Sequence, residues 1–121
     1  MVEIKRLDIV LVDLNPIIGT EQGGIRPAVV LQNDKANRVS PHTIIAPFTT
    51  KIRKAILPSH VLINSGEGGL IQDSVLLCEQ IRVIDKKRII RILGTISLNK
   101  TEEINKAIKA ILDLLSEEYH N

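Results

Sequence analysis

The sequence predicts a mainly β domain finished by a C-terminal helix (α+β), folded as a small, strongly bent antiparallel barrel. Short β-branched runs recur at intervals of about 8–12 residues, separated by clusters of Gly, Pro, Asn and Ser. The last part of the chain instead spaces its apolar residues as a helix does. The 121 residues, 44% hydrophobic and 25% charged, suffice for one core and are too apolar for a disordered chain. A single domain spanning residues 1–121 is expected, with the barrel at about 6–97 and the helix at about 100–117.

The first strand lies within Leu7 to Asp13, on the run Ile9-Val10-Leu11-Val12, and Asn15-Pro16 ends it. A polar loop follows, Gly19-Thr20-Glu21-Gln22-Gly23-Gly24-Ile25-Arg26-Pro27, around which the rest is organised. Its glycines permit positive φ and close backbone approach, and Pro27 fixes φ at the mouth of the second strand, Pro27 to Gln32. Asn33 to Pro41 reads as a polar connection rich in turn formers. A third strand opens at Thr43-Ile44-Ile45-Ala46 and runs into Phe48-Thr49-Thr50. Pro47 within it implies an edge position or a bulge, because proline cannot donate to a ladder. Pro58 to Asn64 makes a fourth strand, and Ser65 to Gly69 a flexible loop.

Ser74 to Ile84 reads as one long strand whose second half alternates, presenting Glu79 or Gln80 together with Arg82 on one face. Asp85 then caps one helical turn over Lys86-Lys87-Arg88, and Arg91 to Ile96 returns as a short strand with Gly94 at a bend. Asn99 caps the final helix, with Glu102 three residues on. Ile104, Ala107, Ile108, Ile111, Leu112 and Leu115 form its single apolar stripe.

No apolar run approaches the length of a membrane span, and the opening residues show no signal peptide. One cysteine, Cys78, excludes an internal disulfide and fits a reducing, cytoplasmic setting. The net charge is only +2. Basic residues outnumber acidic ones up to Ser97, however, and the order reverses beyond it, so a phosphate-bearing partner is tolerated at the body of the domain. The 2% aromatic content argues against a base-stacking platform, for which Phe48 and Tyr119 are the only candidates. His42, His60, His120 and Cys78 lie far apart with no ligand spacing, so no metal site is predicted.

Cys78, in the apolar half of a strand, reads as an inert buried thiol. His60 reads as a surface or satisfied histidine before it reads as a general base. The organising loop lacks the Lys-Ser/Thr of a phosphate-binding P-loop, and no helix opens after it. Arg26 beside glycine amides nevertheless combines a fork-shaped cation with N–H donors, which suits a phosphate. Thr49-Thr50 reads as a strand end or as a hydroxyl donor. Lys86-Lys87-Arg88 with Arg91 reads equally as a solvated face or as a phosphate contact.

Taken together, Asp8 to Pro16, Gly19 to Val30 and Gln32-Asn33-Asp34 resemble the MazF/PemK family of type II toxins. The likeness continues through Ser40-Pro41-His42-Thr43, Leu57-Pro58-Ser59-His60-Val61, Asp73-Ser74-Val75 and Glu79 to Lys86, in order and with compatible spacing. It departs at Arg6-Leu7-Asp8, where the family has glycine in the middle, and in the shorter, glycine-rich loop Ser65 to Gly69.

The resemblance implies an SH3-like or PemK-like barrel, a homodimer, and a metal- and cofactor-independent endoribonuclease that cuts single-stranded RNA at short sequences. It assigns catalysis to Arg26 and Thr49, with Thr50 as the adjacent alternative. RNA contacts fall on Thr20, Glu21, Gln22, Gly23, Leu57, Pro58, Ser74, Glu79, Gln80 and Arg88. It further implies a MazE-like antitoxin whose acidic tail lies across the same groove. The alternative on the same fold is a CcdB-like toxin that binds DNA gyrase and cuts nothing. Such a protein would not need Arg26 beside a glycine-rich loop.

Overall fold

The computed structural model of the protein describes residues 3–51 and 57–114. Seven strands form one bent, antiparallel sheet: β1 (Asp8–Asp13), β2 (Ile25–Val30), β3 (His42–Thr49), β4 (His60–Ile63), β5 (Ser74–Leu77), β6 (Arg82–Asp85) and β7 (Ile89–Thr95). The helices are α1 (Asp34–Val39) and α2 (Thr101–Leu112). The strand order is β4-β5-β3-β2-β1-β7, with β6 also paired to β3. The sheet does not close by hydrogen bonds. Instead the 3-10 turn Glu67–Gly69, which follows β4, packs against β7. The loop expected to be flexible is therefore docked, and the chain at Gly68 and Gly69 lies too close to Ile9 and to the Leu93 carbonyl for any Cβ to fit.

The apolar run of β1 is continuous because both faces of the central strands are buried. Ile9, Val29, Ala46 and Phe48 point to the face covered by Ile104 and Ala107 of α2. Val10, Val12, Ala28, Val30 and Ile45 point the other way, into a second cluster with Ile4, Leu14 and Ile84. Side-chain direction alternates along a strand, so one continuous run fills two cores.

Several expectations are corrected. Pro47 sits neither at an edge nor in a bulge but opposite Ala28 in a central strand. It is tolerated because β3 changes its other partner there. β6 pairs as far as Ile45, and β5 takes over at Phe48. The polar connection Asn33 to Pro41 contains a short helix, capped by the Asn33 carboxamide accepting from the Ala36 N–H at 2.8 Å. The long strand over Ser74 to Ile84 is interrupted by a 3-10 turn at Cys78–Gln80. Asn99 does not cap α2. It lies in a 3-10 turn, Leu98–Lys100, accepting a hydrogen bond from the Ser97 hydroxyl, and the helix opens with no side-chain cap.

Asp85 does cap its turn, accepting from the Lys87 N–H at 2.8 Å. The helical stripe divides. Ile104 and Ala107 are buried and Ile108 packs against them, while Ile111 and Leu112 are exposed. Asp113 ends α2 in the left-handed region at φ 58°. Leu115, the last residue of the expected stripe, lies outside the described residues, as does the helix end expected at about 117.

At the departure Arg6-Leu7-Asp8, Leu7 itself adopts φ 76°, the conformation that glycine favours. Its side chain is buried in the first core, and its backbone bonds to both Val30 and Ile96. The core contacts hold a residue where backbone sterics alone would place glycine.

Candidate active site

The organising loop is held at both ends by guanidinium groups. Arg88 donates from Nη1 to the Asp13 carbonyl at 3.0 Å and also to that of Asn15, fixing the exit of β1. Asn15 Oδ1 accepts from the Gly24 N–H at 3.0 Å, and Leu14 N–H donates to the Gly24 carbonyl at 3.0 Å. Gly23 packs against Ile17 too closely for a side chain, and Gly19 and Gly24 take φ of 58° and 78°. At the apex, Glu21 accepts from the Ile18 N–H at 2.8 Å. The loop is thus a rigid, hydrogen-bonded frame.

Arg26 lies opposite Val12 in the β1–β2 ladder and is partly buried. Its Nε donates to the Gly23 carbonyl at 2.7 Å and its Nη1 to the Phe48 carbonyl at 3.1 Å. Nη2 has no hydrogen-bond partner among the described residues. The second bond joins the loop to the end of β3, one residue before Thr49. The fork is therefore locked in direction with an edge left over, as phosphate recognition requires. The Thr49 hydroxyl accepts from the Lys51 N–H at 3.2 Å. Thr50, the alternative hydroxyl, is more exposed and faces a different concavity.

A groove of about 250 Å³ adjoins this pair, lined by Glu21, Gln22, Pro47, Glu79, Gln80, Ile81 and Arg82. The 3-10 turn that breaks the expected strand is what brings Glu79 and Gln80 together in its wall, where an alternating strand would have shown only one of them. Gln80 Oε1 accepts weakly from the Gln22 N–H at 3.4 Å, linking the two walls.

Glu79 is the most constrained of these groups. Its Oε1 accepts from the Ser59 hydroxyl at 2.9 Å and its Oε2 pairs with His60 Nε2 at 2.9 Å. Burial works to raise its pKa, yet the bonds from His60, the backbone and Ser59 together bring it below the ordinary carboxylate value. Cys78 next to it is a buried free thiol. Burial, with a smaller contribution from the Glu79 charge, pushes its pKa up to about 12, so it is no nucleophile.

Of the residues expected at the site, the groove gathers Glu21, Gln22, Glu79 and Gln80, with Gly23, Arg26 and Thr49 adjoining. Thr20 lies in the exposed turn before Glu21, and Leu57 and Pro58 are exposed just ahead of β4. Ser74 is buried, donates to the Gln72 carbonyl at 2.9 Å and lines a separate, mainly apolar concavity of about 310 Å³ with Thr50, Leu11, Pro27 and Ile71. Arg88 spends Nη1 on the β1 exit. Sequence reasoning missed Pro47, Ile81 and Ser59 as parts of the site, and it ranked His60 as a bystander. No local sequence signal marks the Ser59 and His60 contacts with Glu79, which come from the pairing of His60 opposite Leu77.

Among the described residues no helix is long and apolar enough to cross a membrane. A family model for the PemK-like, MazF-like toxin of type II toxin–antitoxin systems matches residues 5–112. The chain is 47% identical over 111 residues to a Staphylococcus saprophyticus protein named Endoribonuclease MazF, a match covering 92% of each chain. Solved structures of MazF from Deinococcus radiodurans (24% identity, TM-score 0.79, 93% of this chain and 99% of that one) share the fold. So does MazF of the MazE–MazF complex from the same organism (23% identity, TM-score 0.76, 95% and 100%). With the bent sheet, the terminal helix and the matched segments all in register, this chain belongs to the PemK-like, MazF-like family of type II toxins.

Proposed function

We propose that this protein is an endoribonuclease, the toxin of a type II toxin–antitoxin pair, which cuts single-stranded mRNA at a short sequence using Arg26 and Thr49. The observation that carries the reading is the Arg26 fork, anchored on the Gly23 and Phe48 carbonyls beside Thr49, next to a groove of hydrogen-bonding side chains. The relative named Endoribonuclease MazF, near half-identical along almost the whole chain, supports it.

RNA carries its own nucleophile. The 2′-oxygen attacks the adjacent phosphorus, its proton passes to a base, and the bond to the 5′-oxygen breaks as that oxygen takes a proton. The products are a 2′,3′-cyclic phosphate and a 5′-hydroxyl. The charge that builds on the phosphoryl oxygens is met by Arg26, fixed before the substrate arrives, while the Thr49 hydroxyl donates to a non-bridging oxygen. Glu21 is the candidate general base in the groove, weakened in that role by repulsion from the phosphate. Base edges of an unstacked strand are read by Glu21, Gln22, Glu79 and Gln80, with apolar contact from Leu57 and Pro58. Thr20 and Gly23 complete the proposed contact surface; Ser74, buried in the other concavity, and Arg88, committed to the exit of β1, are left out of it.

The MazE–MazF complex among the structural neighbours supports a MazE-like antitoxin as this chain's partner. The reading includes a homodimer and a cytoplasmic setting, which the single buried free thiol suits. The test is incubation with a long single-stranded RNA in excess EDTA, the product ends mapped, with Arg26→Ala alongside. Discrete cuts leaving cyclic phosphates, absent in the variant, are expected. A folded wild type that cuts nothing overturns the reading and favours a gyrase-binding toxin.

A further inference from the structure

We infer that Ser59 and His60 are positioning residues that hold the Glu79 carboxylate as a fixed acceptor in the groove wall, so that it selects adenine or cytosine through the 6- or 4-amino group. The inference rests on the ribonuclease reading above and assigns roles to two residues outside the catalytic pair.

The geometry is a chain of directed bonds. The turn before β4 is closed by the His60 N–H donating to the Leu57 carbonyl at 2.9 Å. In the same turn the Leu57 N–H donates to His60 Nδ1 at 3.3 Å. With Nδ1 accepting, the neutral ring carries its proton on Nε2, which donates to Glu79 Oε2. The Ser59 hydroxyl, on a residue 2% exposed, takes the other carboxylate oxygen. The Ser59 carbonyl also accepts from the Cys78 N–H at 3.1 Å, so the donors and the acceptor ride on backbone segments that are themselves joined. Glu79 cannot swing away, and its lowered pKa keeps it ionised.

Each oxygen of an ionised carboxylate has acceptor capacity beyond one bond, and the group has no donor. Facing the groove, such a group accepts from the 4-amino group of cytosine or the 6-amino group of adenine and repels the O4 of uracil or the O6 of guanine placed at that same position. Selectivity of this kind depends on immobility. A carboxylate free to rotate would turn away from a keto edge and lose the discrimination. This separates Glu79 from Glu21, whose carboxylate accepts, among the described residues, only from a backbone N–H of its own turn.

The experiment is cleavage of an RNA library carrying all four bases at each position of a mapped wild-type site. Wild type is compared with Ser59→Ala, His60→Ala, His60→Gln, Glu79→Ala and the His60→Ala/Glu79→Ala pair, with thermal melts of each. His60→Ala is expected to lower the preference for adenine or cytosine over guanine or uracil at one position about tenfold, raising KM with kcat nearly unchanged. His60→Gln, whose amide keeps a donor within reach of Glu79, restores the preference. In the Glu79→Ala background, loss of His60 has no further effect on preference. An active wild type whose preference His60→Ala leaves intact, or additive losses in the pair, overturns the inference alone. A folded wild type that cuts no member of the library overturns the ribonuclease reading and this inference with it. Should His60→Ala fail to fold, Ser59→Ala and His60→Gln still decide, because a purely structural role predicts equal loss at every position.

Discussion

Arg26 and Arg88 sit at opposite ends of one loop and both donate to backbone carbonyls, yet they are doing different things. Arg88 places Nη1 on two carbonyls at the exit of β1 and so fastens a strand end. Arg26 spends Nε and Nη1 on two carbonyls from different elements, and its Nη2 has no hydrogen-bond partner among the described residues. The lesson is that a guanidinium beside glycine is not a phosphate site by composition. What distinguishes the two is how much of the fork is left over once the fold has been satisfied.

Substitution should separate them cleanly. Arg26→Ala is expected to lower cutting by about a hundred- to a thousand-fold, the cost of losing one preorganised donor to a charged transition state. Its stability should fall as well, because the Gly23 and Phe48 carbonyls lose their donor, and Arg26→Lys should not rescue activity, since the point charge lacks the fork. Mapped cleavage rates at matched folded fraction are the measurement. Arg88→Ala should also cost stability, about 1 kcal/mol through the part-buried Asp13 carbonyl, but with most activity per folded molecule retained. Equal activity losses in both variants would erase the contrast.

Leu7 carries the distinction into the backbone. At φ 76° a Cβ is penalised, so Leu7→Gly should be more stable than Leu7→Ala by about 1 kcal/mol, inverting the usual order. Both variants should fall below wild type in chemical denaturation, because the buried leucine side chain is lost from the first core. The smallest effect concerns Glu79. Its pKa is lowered in the fold, so its contribution to stability is complete above the ordinary value of 4.5 and fades as pH falls below it. Denaturation midpoints of wild type and Glu79→Gln should therefore converge as pH drops from 6 into that acid range. Cys78, with its pKa pushed up to about 12, should resist alkylation at pH 8 until the protein is unfolded.

Most of the strands were legible because their signal is local: β-branched runs, proline at a strand mouth, aspartate before a basic turn. The family resemblance located Arg26 in a glycine-rich segment that chemistry alone had already marked. What escaped depends on contacts distant in sequence. No local feature announces that the Phe48 carbonyl receives Arg26, or that Ser59 and His60 reach Glu79 across about twenty residues. The 3-10 turn at Cys78–Gln80 hides inside an apolar-to-alternating run that any periodicity rule extends. The helix α1 hides among turn-forming residues because its stability comes from its cap and from Asn37. That buried amide bonds Gln32 and Thr43 and does not belong to an apolar stripe. Pro47 was misread for the same reason, since its tolerance comes from a change of neighbour along β3.

The docked turn at Glu67–Gly69 has a consequence for how such a chain can diversify. A Cβ on Gly94 would strike the Gly68 backbone, and one on Gly68 would strike Ile9 and approach the Thr95 carbonyl. Neither position can accept a side chain unless the whole turn lifts from β7. Gly66, by contrast, has open space around it. Variation in this loop is therefore channelled outward: a lineage can lengthen its solvent-facing half, although Gly66 at φ 91° still favours glycine, while the inner half stays frozen as the seam between the two outer strands of the sheet.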